Sequence, residues 1–259
     1  MELFVADLVE RFYTILWPFL RISALLLTVP ILSIDAVTVR IRVLLAALLT
    51  WMVYPLADWP VIDPVSAEGL LEIANQLFIG ILMGLMLQVV TAAVVVGGQA
   101  IANSMGLSMA TMVDPGLGNV PVLSSFLLII ATLIFLSVGG HMLIIGILLR
   151  SFETVPIGTA LIGQVAIGNL IQWSAMIFLG GVLIALPVMV ALLLVNIGVG
   201  VITRAAPSLN IFAVGFPVFF LTGYAVLVIS MSSIGARIQW LWLEGMEQVK
   251  TLVSVPGVL

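Results

Sequence analysis

The sequence predicts an all-α membrane protein, a bundle of long, kinked helical hairpins, and three observations support that fold class. Hydrophobic residues make up 63% of the 259-residue chain and charged residues 8%, whereas a soluble domain is about half apolar and about one quarter charged. The mean hydropathy is +1.36. Short charged stretches divide the chain into long blocks without any charge. The few charged groups are too sparse to cover a water-exposed surface, so lipid or protein must cover most of it.

About six apolar helices are predicted from these blocks and from the residues that interrupt them. Four acids and two prolines mark the segment from Asp58 to Glu72 as a solvated loop, and the segment from Ser104 to Pro121 is rich in helix-breaking residues. Two of the helices are longer than the bilayer, which requires tilt, kinks or extension beyond the lipid, and Pro187 is a predicted kink. The predicted helices lie near 12–33, 38–57, 70–102, 121–149, 169–203 and 211–236, with a weaker amphipathic tail at 237–251.

The distribution of basic residues predicts an orientation. Arg40 and Arg42 follow the first helix and Arg204 follows the fifth, so they share a side opposite the acidic loop. The positive-inside rule makes that side cytoplasmic and leaves the N-terminus outside.

Residue types that carry catalysis, metal binding or nucleic-acid binding are scarce. The chain has no cysteine and one histidine, His141, so thiolate chemistry and cysteine metal sites are excluded. No nucleotide-binding glycine loop of the G-x-x-x-x-G-K-[ST] type is present. A proton relay at His141 would need partner acids or bases, and packing between helices is the alternative. We therefore expect no enzyme, no cofactor, no metal and no nucleic-acid partner.

Two features of the apolar helices indicate contacts with other groups: a charged residue and a glycine pair. Arg21 lies inside the first apolar block, where it either pairs with an acid of a partner chain or extends its charge to the membrane interface. Gly80 and Gly84 form a G-x-x-x-G pair, and small residues at this spacing let helix backbones approach closely in lipid.

The segment from Met105 to Gly116 is the most informative one. Irregular backbone at membrane depth is tolerated only where it is buried in protein or lines a water-filled cavity. Three of its residues are methionines, whose flexible apolar side chains repack against variable surfaces. From these properties alone, a re-entrant plug or gate and an ordinary surface loop are both consistent with the sequence.

Several motifs resemble the FliR family, the flagellar members of the type III secretion export apparatus. The similarity runs from about residue 11 to 235. The form of the motif at 210–217 is more similar to that of flagellar members than to that of virulence relatives. The longest motif, Thr203 to Pro217, is highly specific. The matching segments are Trp17-Pro18, Arg21 to Leu25, Gly106 to Pro115, Pro121 to Leu123, Gly140-His141, Ala185 to Pro187 and Thr203 to Pro217.

This resemblance implies a non-enzymatic subunit of the flagellar export gate. FliR-like proteins assemble with FliP-like and FliQ-like subunits, and we also expect an FlhB-like partner. The assembly would let unfolded flagellar proteins leave the cytoplasm, in the bacterial inner membrane at the flagellar basal body. Residues 1–164 would be a FliP-like helical part that includes a pore loop at 104–120, and residues 165–259 a FliQ-like hairpin with an amphipathic tail.

The resemblance also assigns roles to single residues. Three methionines would form a soft apolar seal in the pore, two residues would fix the base of the loop, and the hairpin loop would face the cytoplasmic mouth. The gate residues are Met105, Gly106, Leu107, Met109 and Met112, with Asp114 and Pro115 at the base; the hairpin-loop residues are Arg204, Pro207 and Asn210.

Two other function classes have less support from the residues. A secondary transporter places ionisable residues near the membrane midplane to bind ions or substrate, and the long helices carry almost none. An intramembrane enzyme needs an acid pair or a Ser–His arrangement at motif spacing, and the sequence has neither.

Overall fold

A computed structural model describes residues 2–31, 37–107, 122–158, 164–205 and 211–254. Within these ranges all regular elements are helices and none is a strand, which confirms the predicted all-α class. A short 3-10 turn, Tyr54–Leu56, extends α2. The helices are α1 (Glu2–Thr28), α2 (Val39–Val53), α3 (Ala67–Ser104), α4 (Val122–Ser137), α5 (Gly140–Thr154), α6 (Gln164–Ser174), α7 (Met176–Ala205) and α8 (Ile211–Ser254).

The chain divides into two compact units, and neither is continuous in sequence. The first unit contains Met1–Val89, Gly139–Ser174 and Glu244–Leu259. The second contains Val90–Val138 and Ala175–Leu243. Two helices, α3 and α8, therefore contribute residues to both units.

Four segments of the described chain are long and apolar enough to cross a membrane: Val39–Leu56, Ala67–Ser104, Val165–Ala205 and Pro217–Ser254. The bent pair α4 and α5 makes a fifth if it is counted as one span. At 1.5 Å per residue, the 38 residues of α3 reach about 57 Å and the 44 residues of α8 about 66 Å. Both exceed the hydrocarbon core of about 30 Å. The chain is therefore a multi-pass membrane protein whose longest helices are longer than the hydrocarbon core is thick.

Local chemistry sets the ends of the early helices. α1 ends at Thr28, five residues before the predicted end, because Val29 precedes Pro30 and a residue before proline is disfavoured in the α region. α3 begins after Ser66, whose Oγ accepts a hydrogen bond from the amide of Gly69 at 3.0 Å. This is the N-cap arrangement that satisfies an otherwise unpaired amide of the first helical turn.

The helix predicted at 121–149 is wrong, because two helices occupy that segment with a bend of 64° between them. Gly139 stands at the bend with φ of 74°, a left-handed conformation that side chains other than glycine rarely adopt. Its carbonyl accepts from the amides of Met142 and Leu143, at 2.9 and 3.1 Å, and so starts α5. A Cβ added at Gly139 would meet nothing within 4 Å, so backbone conformation rather than packing requires this glycine.

Two other predicted boundaries are also corrected. The helix predicted at 169–203 begins at Gln164 and is interrupted at Ala175, where neither glycine nor proline signals a break. It then continues through Pro187 to Ala205. The helix at 211–236 and the tail at 237–251 form one helix, α8. The tail is amphipathic as predicted: Leu241, Trp242, Met246 and Val249 are buried, and the acids and Lys250 lie on the other face.

Substitution of Gly139 tests the cause of the bend. Gly139→Ala should lower the free energy of unfolding by about 1–2 kcal/mol, the cost of a left-handed conformation for a residue with a Cβ. Gly146→Ala is the matched control, because Gly146 also has open space around it but lies inside α5. That change should stabilise by about 0.5–1 kcal/mol. Thermal unfolding in detergent measures both, and equal effects would contradict the conformational explanation.

Candidate gate segment and its supports

The predicted gate segment begins where α3 ends. The amide of Leu107 donates to the carbonyl of Ala102, and the amide of Gly106 donates to that of Asn103, both at 3.1 Å. Gly106 has φ of 77°. This pair of bonds is the Schellman motif, which satisfies the last carbonyls of a helix and turns the chain away from its axis. The glycine at the start of the segment therefore fixes where α3 stops and where the following residues start.

Met105 anchors this end of α3 in the second unit. Its side chain is 1% exposed and packs on Gly223 of α8. A Cβ at Gly223 would lie 2.6 Å from the Cγ of Met105, so only glycine leaves room for the methionine there. Ile101, one turn earlier, is also fully buried. The C-terminal turn of α3 is thus held by apolar packing against a glycine.

The other end of the segment is tied to α3 as well. Ser124, in the first turn of α4, donates its hydroxyl to the carbonyl of Val95 at 3.0 Å. A Cβ on Gly98 would come within 2.6 Å of the Cα of Ser124, so the two backbones are in contact. The two stems of the segment, the end of α3 and the first turn of α4, belong to a tightly packed helix pair. The residues between the stems therefore start and end at fixed places.

Glycine contacts and buried aromatic rings build the rest of the second unit. Gly181 of α7 packs against Val96 of α3, where an added Cβ would lie 2.8 Å from a valine methyl carbon. Trp242 of α8 donates its Nε1–H to the carbonyl of Ala131 in α4 at 2.9 Å. The Phe135 ring meets the Trp242 ring edge-on, with centroids 4.7 Å apart. These contacts join α3, α4, α7 and α8 around the stems.

The described residues include only part of the predicted site. Met105, Gly106 and Leu107 lie together at the end of α3. Arg204 is exposed in the last turn of α7, where a cation interacts favourably with the helix dipole. The other predicted site residues, Met109, Met112, Asp114, Pro115, Pro207 and Asn210, lie outside the described residues.

A second polar site, centred on Arg21, lies in the first unit. Arg21 is fully buried. Its Nε donates to Gln76 Oε1 at 2.6 Å and its Nη1 to the carbonyl and the hydroxyl of Ser151 at 2.8 and 3.0 Å. Its Nη2 donates to the carbonyl of Val155 at 2.9 Å. One guanidinium therefore connects α1, α3 and the C-terminal end of α5.

A carboxylate and an aromatic ring complete the environment of this cation. Glu72 is 6% exposed and accepts a hydrogen bond from the Nε2 of Gln76, so the glutamine links it to Arg21. The Arg21 Cζ lies 4.5 Å from the centre of the Phe152 ring, which attracts a cation through its negative face. Trp59 meets Phe152 edge-on at 5.2 Å. The buried charge is hydrogen-bonded and compensated, as a charge taken out of water must be.

This network corrects both predictions for Arg21. Its compensating acid is in the same chain, and its side chain is buried rather than extended to an interface. Sequence reasoning missed Glu72, Gln76 and Ser151, which are separated from Arg21 by 51, 55 and 130 positions. The available signal was the i, i+4 pair of Glu72 and Gln76 at the start of an otherwise apolar helix.

The structure decides two further predictions, those for the Gly80–Gly84 pair and for His141. The backbone contact predicted at Gly80 and Gly84 is confirmed within the chain: a Cβ at Gly80 would lie 2.5 Å from the carbonyl oxygen of Arg21, and one at Gly84 would overlap the hydroxyl of Thr28. The packing role predicted for His141 is wrong for this chain, because His141 is exposed in the first turn of α5.

The long apolar helices and their exposed surfaces define a multi-pass helical membrane protein. Comparison with known proteins gives the family. Residues 12–245 match the family described as bacterial export proteins, family 1. The chain is similar to the flagellar biosynthetic protein FliR of Escherichia coli, with 35% identity over 92% of each chain. It is also similar to FliR of Pectobacterium carotovorum, with 36% identity over 85% of each chain. Identity to FliR of Bacillus subtilis is 27%, over 97% of this chain and 99% of that protein.

The chain therefore belongs to the bacterial export proteins, family 1, and within it to the FliR family, as the sequence motifs indicated.

The Arg21 network makes a strong prediction about stability. Arg21→Leu leaves Glu72 buried without its cation, and removal of one partner from a buried pair costs about 3–5 kcal/mol. Arg40→Leu is the control, since Arg40 is exposed at the start of α2 and its loss should cost less than about 0.5 kcal/mol. A double variant, Arg21→Leu with Glu72→Leu, should recover part of the loss. Unfolding midpoints of the purified protein test this, and an Arg21→Leu variant as stable as wild type would contradict it.

Proposed function

We propose that this chain, a subunit of the flagellar export apparatus, is the structural and gating subunit of its channel. The gate is the segment at 104–120. The observation that carries the proposal is the support of both stems: Met105 packs on Gly223 of α8, Gly106 ends α3, and Ser124 holds the other end against α3. A plug that yields to an extended chain and then recloses needs rigid supports beside flexible residues.

The closing element of this gate is apolar. Met109 and Met112 supply unbranched side chains that fill irregular gaps, whereas Met105, predicted as a third member of the seal, is buried on Gly223 and acts as its anchor. A hydrophobic constriction excludes water, and so blocks ions, without needing a perfect fit. The same side chains can move apart around an unfolded protein of any sequence. Asp114 and Pro115 would hold the far side of the loop.

The assembled channel contains FliP-like and FliQ-like subunits, with an FlhB-like subunit as a further partner. Support comes from the surface of α7, where large apolar side chains are exposed, such as Phe178 at 71%, Leu194 at 65% and Val201 at 65%. Added Cβ atoms at Gly198 and Gly200 would meet nothing within 4 Å. Small residues let a neighbouring helix approach closely in a membrane, so the exposed surface of α7 suits partner helices.

The N-terminal part, 1–164, corresponds in this proposal to a FliP-like unit and residues 165–259 to a FliQ-like hairpin with its tail. The hairpin loop, with Arg204, Pro207 and Asn210, faces the cytoplasmic mouth. The location is the bacterial inner membrane within the flagellar basal body. The chain catalyses no reaction itself, and the energy for export comes from other components, because the sequence has no nucleotide-binding loop.

Removal of the gate tests the central proposal. Deletion of 106–116 should leave the complex assembled and make the membrane permeable to small ions, because a water-filled path conducts once its apolar constriction is lost. Met109→Asp should leak more than Met109→Ala, since a charge attracts water into the constriction. The measurement is ion conductance in cells making the complex, normalised to the amount of complex.

Two controls separate gating from general damage. Leu56→Asp introduces the same charge at an exposed position, 71% accessible beside the acidic loop, and should not leak. Met142→Ala removes an exposed methionine of α5, 68% accessible, and should also remain tight. A deletion variant that assembles and is as tight as wild type would show that 104–120 is only a connecting loop.

Assembly is tested at the open glycines of α7. Gly198→Leu should leave the fold of the chain intact, because a Cβ added there meets nothing within 4 Å. It should reduce recovery of the complex with FliP-like and FliQ-like subunits by about tenfold or more, since overpacking costs about 1–3 kcal/mol. Gly146→Leu, the same change at an open glycine of α5 away from this surface, is the control. Full assembly of the Gly198→Leu variant would contradict the partner face.

A further inference from the structure

The second unit contains a cation to which the described residues bring no acid. Arg237 lies in α8, directly after a stretch from Ala205 to Ala236 that has no charged residue. The residue is partly buried, and its Nε is buried without a hydrogen-bond partner among the described residues. A buried donor without an acceptor costs free energy, and the cost is larger for a charged group. An anionic group from another molecule would therefore stabilise this side chain.

The elements around Arg237 are uncharged. α8 packs on α4 through Trp242 and on α7 at Gly180, where an added Cβ would lie 3.1 Å from Leu241. Within α8 the next acid is Glu244, seven residues and about 10 Å further along the helix, whereas charged pairs on a helix form at a spacing of three or four residues. The described parts of the second unit contain no acidic residue: 90–107, 122–138, 175–205 and 211–243.

Arg21 shows how the same chain treats a guanidinium that belongs to its own fold. Arg21 donates four hydrogen bonds, and Gln76 links it to the carboxylate of Glu72. Burial of a charge requires such compensation. Because Arg237 has a buried Nε and no comparable set of partners among the described residues, its compensation is expected from outside the chain.

Small side chains lie beside Arg237 on the exposed side of α8. Three of them are exposed: Ser232, Ser233 and Ala236. Gly235 is nearly open as well, since a Cβ there would meet only the Cδ1 of Ile134, at 3.9 Å. Larger side chains, Ile229 and Trp240, are 79% and 45% exposed one turn before and one turn after this patch. Small residues let helix backbones approach closely in lipid, and serine hydroxyls bond across such contacts.

We propose that this face of α8 docks a helix of a partner subunit, which brings an aspartate or glutamate to Arg237. The inference rests on the proposed assembly with partner subunits and adds a contact on α8 to the one on α7. A carboxylate would accept hydrogen bonds from the guanidinium, a strong type of bond. The small side chains would let the partner backbone come close enough to deliver it. A lipid phosphate would also neutralise the charge, but it has no need of small side chains beside the arginine.

Photocross-linking in cells that make the complex identifies the occupant. A photoreactive residue replaces Trp240, whose side chain is already large and exposed. It should give a protein-sized adduct with a partner subunit, and mass spectrometry should place the adduct within two helical turns of an aspartate or glutamate. Adducts with lipid alone, an adduct that forms only during export of a substrate, or a partner segment without an acid would each overturn the proposal.

Charge exchange tests the pairing itself. Arg237→Glu should lower recovery of the complex about tenfold or more, since like charges then face each other across the contact, and Arg237→Lys should retain most of it. A change of the cross-linked acid to arginine should restore assembly of Arg237→Glu. Arg150→Glu, the same change at an exposed position of α5, is the control and should assemble normally. Restoration by Asp114→Arg in the same chain would show an internal pair and overturn the proposal.

The stability of the full chain separates docking from folding. Arg237→Met removes the unpaired donor and keeps an apolar stem, so the unfolding midpoint in detergent should equal or exceed that of wild type, while recovery of the complex falls. A drop like that of Arg21→Leu would show that Arg237 supports the fold and would overturn the proposal. Normal assembly of every Arg237 variant beside a defect in Gly198→Leu would disprove the α8 contact alone. Failure of the unaltered chain to form a complex would contradict the proposed function as well.

Discussion

Apolar helices in an apolar solvent have little hydrophobic reason to associate, and this constraint shapes the whole chain. Lipid tails are as apolar as leucine, so helices in a membrane associate through close contact of backbones and through polar bonds. The structure uses the first at glycines: Gly80 and Gly84 bring α3 against α1, Gly98 brings it against α4, and Gly181 brings α7 against α3. Each of these contacts would be lost if a Cβ held the backbones apart.

Polar bonds, the second way in which helices associate in a membrane, are concentrated at Arg21. Taking a guanidinium out of water is costly, and a buried ion pair is often no more stable than an apolar substitute. What the Arg21 network contributes is a fixed geometry. Four hydrogen bonds with fixed directions join α1 to Gln76 on α3 and to Ser151 and Val155 on α5. Apolar packing tolerates sliding of one helix along another, whereas these bonds accept only one register. The network therefore specifies the arrangement of the first unit, and glycine contacts allow it.

Local signals were readable from the sequence, and long-range ones were not. The limits of α3 were predicted to within three residues because Ser66 and Gly106 act on their own helix turns. Gly139 makes a bend by its left-handed conformation, whereas Gly80 and Gly84 permit close packing, and a sequence does not distinguish these two uses of glycine. The break at Ala175 has no glycine or proline to mark it. The partners of Arg21 are brought to it by folding, and nothing in local spacing identifies Ser151.

The candidate gate segment likewise has local features that the sequence predicts and long-range contacts that it does not. The start of the gate segment was predictable because Gly106 takes a left-handed conformation that ends α3, with the amides of Gly106 and Leu107 bonded to the carbonyls of Asn103 and Ala102. The burial of Met105 on Gly223 depends on α8, more than one hundred residues later, and spacing gives no indication of it. A groove between α1 and α2 was not predicted either, since Phe12 and Trp51 line it together only when the two helices pack.

The distribution of titratable groups limits how such a gate can open. Between Glu72 and Arg150 the sequence has only two ionisable side chains, Asp114 and His141, and His141 is exposed in the first unit. The stems at Met105 and Ser124 are uncharged, so a change of pH or membrane potential has little charge to act on there. The supports depend instead on contact between backbones, which is sensitive to small displacements because packed interiors have few voids. A helix of a partner subunit or the entering substrate can supply that displacement. For the gate proposed above, displacement of these contacts, rather than titration of the uncharged stems, is the route to opening that the described residues support.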